Sequence, residues 1–268
     1  MECVFIKGKL NLDKFFEIGS KYNLNLNVDA ILDESIYNFN NMNIMKAMDN
    51  ITAVLKVMDI LYDNECLFNT KKIIIYGQSH GAYLSYLCNA LAPTLFSLII
   101  DNSAWIYPLY VYEDRLLTSN IENLYIVKRF KYLAKEVMKD KQILDLNWIY
   151  SQFKNNCNII SYHGTTDNLI SNVEKRNFCN RINKCNYIEI SEERVDNVVF
   201  KSTNHALDAD FIKLFEYTME NVKIKFEKSN VLQLKNNVEF TTYKHKYTIN
   251  YSDVLPNISI GNYINIGC

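Results

Sequence analysis

Residues Lys72-Ile73-Ile74-Ile75-Tyr76 form a short β-branched run without polar alternation that passes directly into Gly77-Gln78-Ser79-His80-Gly81. A strand with no polar face is buried on both sides, as in a parallel sheet covered by helices. The next residues, Ala82–Leu91, read as a helix. Strand, Gly-x-Ser-x-Gly and helix in immediate succession require a very sharp turn. The serine then sits in strained backbone and projects its hydroxyl above the sheet. Glycine is scarce, seven in 268 residues beside three prolines, so each glycine is expected where a side chain would strain the chain. Residues two before and two after the serine approach each other, which predicts that both Gly77 and Gly81 must be small.

Helix and strand continue to alternate. Ile44, Met45, Met48, Ile51, Val54, Leu55 and Met58 recur at three- and four-residue spacing, predicting an amphipathic helix over Asn41–Asp63. Strands are predicted at Phe96–Ile100, Asn158–Tyr162 and Tyr187–Ile190, and helices at Asn172–Lys184 and Ala206–Val222. The expectation is an α/β fold, a mostly parallel sheet flanked by helices. It occupies residues 41–225, with an aromatic-rich helical insertion at about 106–152. Residues 1–40 read as insertion material rather than sheet, with a short strand at Cys3–Ile6, a helix near Leu12–Tyr22 and an alternating stretch Leu24–Val28. Residues 226–268 form a β-rich appendage, from the alternation in Val238-Glu239-Phe240 and Tyr247–Tyr251.

A nucleophilic serine needs a base and an orienting acid, in the chain order Ser, acid, His. Ile159–Tyr162 leads into His163-Gly164-Thr165-Thr166-Asp167, a strand ending in a tight turn with Asp167 at the carboxyl edge of the sheet, where α/β sites assemble. Of the four histidines, His80 lies inside the turn, where its backbone N–H can face an oxyanion. His163 precedes the acid turn and His245 lies in the terminal segment. Only His205, in Ser202-Thr203-Asn204-His205-Ala206 before the last helix, fits both order and context. Asp101, ending the strand after the serine turn, is a second candidate for the acid.

Composition excludes other classes. With 29 Lys+Arg against 30 Asp+Glu, the formal net charge of −1 offers no basic surface for nucleic acid. No apolar run approaches the ~20 residues of a membrane span, and the N-terminus lacks the pattern of a secretory signal. The seven cysteines are scattered, without a Cys-x-x-Cys pair, which predicts reduced thiols and a cytoplasmic protein. No metal and no organic cofactor is implied.

On Gly77-Gln78-Ser79-His80-Gly81, Tyr162-His163-Gly164-Thr165-Thr166-Asp167 and Asn204-His205, the chain resembles the α/β-hydrolase superfamily over roughly residues 40–225. Within it Asn41–Tyr107, including Leu91-Ala92-Pro93 and Ile100-Asp101-Asn102-Ser103, looks like a bacterial branch known only as a domain of unknown function. The resemblance implies a hydrolase of a small-molecule ester, thioester or other acyl substrate, in which Ser79 attacks, His205 shuttles the proton and Asp167 orients it. It implies that the insertion caps the substrate. It also implies a second oxyanion donor on a loop well before the serine. The 78 residues preceding Ser79 hold only Gly8, Gly19 and Gly77 for such a loop. The first strands of the sheet are therefore expected to be missing, leaving an edge through which copies can pair. The alternative is a binding protein of the same fold with an incomplete oxyanion hole; acyl transfer by the same residues is a third reading.

Overall fold

The computed structural model describes residues 5–6, 9–39, 43–253 and 255–262. Cys3, Gly8 and Cys268 lie outside them, as does the first half of the strand expected at Cys3–Ile6. The chain runs through β1 (Phe5–Ile6), β2 (Lys9–Leu10), α1 (Leu12–Gly19), β3 (Leu24–Ala30) and α2 (Ile44–Asp63). Next come β4 (Ile74–Gln78), α3 (His80–Leu91), β5 (Leu98–Asn102), β6 (Arg115–Ile121), β7 (Leu124–Phe130), α4 (Ala134–Val137) and α5 (Leu146–Ser151). The remainder comprises β8 (Asn158–Gly164), α6 (Asn172–Asn180), β9 (Cys185–Ile190), α7 (Phe211–Asn221), β10 (Asn237–Thr241), β11 (His245–Asn250) and β12 (Asn257–Asn262). These elements form two compact units, one of residues 1–41 and 109–139, the other of 42–108 and 140–268.

The larger unit is an α/β fold. Its main sheet has the order β4-β5-β8-β9 with every pair parallel. The apolar, β-branched run Leu98-Ile99-Ile100 explains why β5 is buried at each position. Helix α3 packs on β4 and β5 and is buried continuously from Ala82 to Leu91. Against the sheet lies a cluster of Leu98, Ile100, Ile160, Tyr162, Ile190, Leu207 and Leu214. Because the strands are parallel, their carboxyl ends meet at one edge: Gln78 pairs with Asn102, Asn102 with Tyr162, and Gly164 with Ile190. Among the described residues no strand pairs with β4 on its other side.

The last long helix starts later than the expected Ala206. Ala206, Leu207 and Asp208 take positive φ (65°, 60° and 43°), which no α-helix accommodates. Asp210 then caps α7, its carboxylate accepting from the N–H groups of Ile212 and Lys213. The terminal strands form the antiparallel sheet β10-β11-β12. Phe240 packs near Trp148 and Phe153, and the Tyr251 hydroxyl donates to the Leu91 carbonyl at 2.9 Å. The described residues of the segment 226–268 thus belong to the same compact unit as the sheet.

The smaller unit departs from the helical insertion read at 106–152. Its centre is a hairpin, β6 against β7, extended by β3 running parallel to β7. The reason is local. Leu124 and Ile126 are buried while Tyr125 is exposed, a period of two, and Glu122 takes φ 51° in the two-residue turn Glu122-Asn123. The alternating stretch Leu24–Val28, read within residues 1–40 as insertion material rather than sheet, instead lies in β3, which pairs with β7 of the insertion.

Candidate active site

β4 ends at Gln78 and α3 starts at His80, so Ser79 alone makes the reversal. It does so at φ 54°, ψ −120°, strained for a residue with a side chain, and its N–H donates to the Asn102 carbonyl at 2.8 Å. The two glycines are not equivalent. A Cβ on Gly77 would lie 2.4 Å from the Gly81 carbonyl and the Ala82 nitrogen, whereas one on Gly81 would meet nothing within 4 Å. The expected need for a small residue therefore holds at Gly77 and fails at Gly81, because the close approach is to Gly81 backbone. His80 opens the twelve-residue α3, whose positive dipole end adjoins the serine. Its ring stands 5.1 Å from Trp105 and 6.1 Å from Tyr83.

Gly164 is the last residue of β8, and a Cβ there would fall 2.0 Å from the Thr203 carbonyl oxygen. Glycine thus lets the Thr203-Asn204-His205 loop lie against the strand end, where the Thr166 N–H donates to the Thr203 carbonyl at 3.0 Å. Three residues on, the Asp167 side chain is fully buried. Its Oδ1 accepts from the N–H groups of Leu169 (2.8 Å) and Ile170 (3.2 Å), closing a tight turn. Its Oδ2 lies 2.8 Å from His205 Nδ1. Burial alone would raise this carboxyl, but hydrogen bonds from His205 and Leu169 outweigh it and hold Asp167 below the usual carboxylate range. It does not cap the following helix; Ser171 does, accepting from the Glu174 N–H.

His205 Nε2 lies 2.7 Å from Ser79 Oγ. With Asp167 ionised, Nδ1–H donates to Oδ2, and Nε2 is left to accept from the serine hydroxyl. Ser79, His205 and Asp167 are thus one hydrogen-bonded chain, all within the larger unit. Such a chain can move a proton off the serine as its oxygen attacks a carbonyl. A second histidine stands behind the acid: His163 Nε2 donates to the Ile170 carbonyl at 2.8 Å and lies 3.6 Å from Asp167 Oδ2. Burial, then the charge of Lys175, pushes its pKa down.

Asp101, the second candidate acid, is committed elsewhere. Its Oδ2 lies 2.7 Å from the Nζ of Lys175 and accepts from the Ser161 and Tyr86 hydroxyls, and its Oδ1 accepts the Ala104 N–H at 2.7 Å. Lys175 is fully buried on α6 within a polar-looking Glu174-Lys175-Arg176, so nothing in its sequence context marks it. Among the described residues no group of His, Cys, Asp or Glu is placed to hold a metal, and no helix is long and apolar enough to cross a membrane. Cys66, Cys88, Cys157, Cys179 and Cys185 are free thiols; burial pushes those of Cys88 and Cys157 up to about 12.

Residues 9–133, a little under half of the chain, match a family described as protein of unknown function (DUF2920). No curated protein matches the sequence. Among solved structures, the chain is similar to Thermogutta terrifontis esterase 2 phosphoramylated by tabun, at 14% identity over 67% of this chain and 64% of that one, TM-score 0.45. It thus spans less than two thirds of that esterase. It is similar also to Est1E from Butyrivibrio proteoclasticus with ferulic acid bound (12% identity, 75% of this chain, 90% of that one, TM-score 0.41). A third is the monoacylglycerol lipase of Paleococcus ferrophilus (10% identity, 63% and 84%, TM-score 0.35).

Proposed function

We propose that the protein is a serine hydrolase of small carboxylic esters or thioesters, working through an acyl-enzyme. The observation that carries this reading is the unbroken chain from Ser79 Oγ through His205 to the buried Asp167, with Ser79 held at positive φ. In the first half-reaction Ser79 Oγ bonds to the substrate carbonyl carbon while its proton passes to His205 Nε2. Asp167 stabilises the imidazolium through Nδ1–H. The His80 N–H, at the start of α3, faces the developing oxyanion. Collapse breaks the bond to the alcohol or thiol, which leaves with the proton from Nε2. Water then enters, gives a proton to the same nitrogen and releases the acid, restoring Ser79. No metal or organic cofactor takes part.

A second reading, a binding protein in which Ser79 does not turn over, draws on one feature. β4 is an edge strand among the described residues, so none of the described strands stands where the hydrolase pattern has those that precede the serine turn and lead to the loop with a second N–H donor. Losing one such donor costs about 10²–10³-fold in rate. Stopped-flow hydrolysis of an activated aryl ester separates the two. The proposal expects a burst of one phenolate per chain followed by slower turnover, both absent in Ser79→Ala. A folded wild type with neither burst nor turnover would leave the binding reading.

A further inference from the structure

Asn102 and Ser103 close a ring of hydrogen bonds around one residue of the loop that carries His205. Asn102 Nδ2 donates to the Ala206 carbonyl at 3.0 Å, and Ser103 Oγ accepts the Ala206 N–H at 3.0 Å. The ring is completed by the Ser103 hydroxyl donating to Asn102 Oδ1 at 3.2 Å. Both side chains belong to fully buried residues, so a lost partner is not replaced by solvent. The Ala206 N–H belongs to the peptide that leaves His205, and from there Ala206, Leu207 and Asp208 run at positive φ. A non-glycine run in that region persists only where its surroundings hold it.

The same turn reaches the nucleophile, since the Asn102 carbonyl takes the Ser79 N–H. Its own shape is fixed from behind: the Ala104 N–H goes to Asp101 and the Ala104 carbonyl takes a hydrogen bond from Lys175 at 3.2 Å. One bracket, anchored by a buried ion pair, therefore holds the backbone of Ser79 and of the residue that follows His205.

We propose that Asn102 and Ser103 are positioning residues that set the reach of His205 Nε2 to Ser79 Oγ by clamping both peptide groups of Ala206. Neither touches the reacting atoms. The role rests on Ser79 and His205 being nucleophile and base, and a readout independent of chemistry keeps the two separable.

The test compares full-length wild type with Ser103→Ala, Ser103→Gly and Asn102→Ala. Labelling by a fluorophosphonate is followed against probe concentration and pH, and the downfield proton signal of His205 Nδ1–H, assigned with His205→Ala, is recorded for each. The clamp predicts a fall of about 10- to 100-fold in the first-order labelling step, because small misplacements of a base cost that much. Probe affinity stays unchanged, the pH dependence shifts, and the Nδ1–H signal moves or broadens in all three variants. Wild-type labelling and an unmoved signal would overturn the proposal. So would full recovery in Ser103→Gly alone, since glycine relieves the positive φ of Ser103 (56°) and the effect would then be backbone strain rather than the hydroxyl. Should Ser103→Ala fail to fold, Asn102→Ala carries the same comparison at a residue without that strain. If the wild type itself is not labelled, the hydrolase reading fails and the Nδ1–H signal alone decides the clamp: moved supports it, unmoved overturns it.

Discussion

Strands β5 and β6 stand at opposite extremes, β5 buried at all its positions and β6 exposed at all of its own. β5 lies between β4 and β8 beneath α3 and ends in the turn that holds Ser79 and Ala206. β6 is the outer strand of a three-stranded sheet, and its apolar residues Leu116, Leu117 and Ile121 remain partly in solvent at 59%, 40% and 40% exposure. The contrast places the proposed chemistry on elements whose positions are fixed by burial on two faces. It leaves the mixed sheet of residues 1–41 and 109–139 with a weaker hydrophobic hold.

Substitutions that attack the buried side of this contrast are expected to be the most severe. Gly164→Ala drives a methyl group to within 2.0 Å of the Thr203 carbonyl, at the junction of β8 with the loop of His205. Its loss, read by urea denaturation, should exceed about 4 kcal/mol, the extreme for one substitution. Next, Ile99→Ala on β5, at 0% exposure, should cost about 2–5 kcal/mol. Leu116→Ala on β6, 59% exposed, should stay within about 0.5 kcal/mol. Equal losses at the two strands would erase the distinction. The smallest effect is expected at the second glycine of the serine turn. Gly81→Ala, solvent-exposed and free of neighbours, should be neutral or stabilise by up to about 1 kcal/mol through helix propensity. Gly77→Ala should destabilise, because its methyl group meets backbone.

Acid sharpens the comparison within the larger unit. His163 has a folded pKa below its ordinary 6.5, so the unfolded chain takes up the proton first. Stability tied to it is complete above that value and declines as pH falls through 6.5 toward the folded pKa. Asp167, depressed below 3.8, adds a second decline at lower pH as its carboxylate is protonated in the folded state. His163→Gln keeps a donor for the Ile170 carbonyl but cannot titrate. It should remove the first decline in a pH series of denaturation midpoints and leave the second.

Much of the buried side was legible in the sequence. The non-alternating run Ile159–Tyr162 marks a strand buried at each of those positions. Ile73–Tyr76, read the same way, is a strand but only half-buried, because β4 has one neighbour among the described residues. Glycine scarcity directs attention to Gly77 and Gly164. Ser79, Asp167 and His205 followed from order and from their places at strand ends, and the structure brings their side chains together. Local pattern could not reveal what depends on pairing. The hairpin at Arg115–Phe130 is completed by β3, a partner that lies far upstream in the chain. The late start of α7 depends on a left-handed run at Ala206–Asp208 that contains no glycine to announce it. Lys175, in a charged stretch, gave no sign of burial beside Asp101. The bracket of Asn102 and Ser103 left a partial trace, polar residues at the end of a buried strand next to the serine turn, without showing what they hold.

The central claim is that Ser79 is activated by His205. Fluorophosphonate labelling of the folded protein, with the modified peptide located by mass spectrometry, tests it most directly. The account predicts one label per chain, on Ser79, with the rate reduced about 10⁴-fold or more in His205→Ala. A folded wild type that takes no label, or takes it at the same rate without His205, would contradict it.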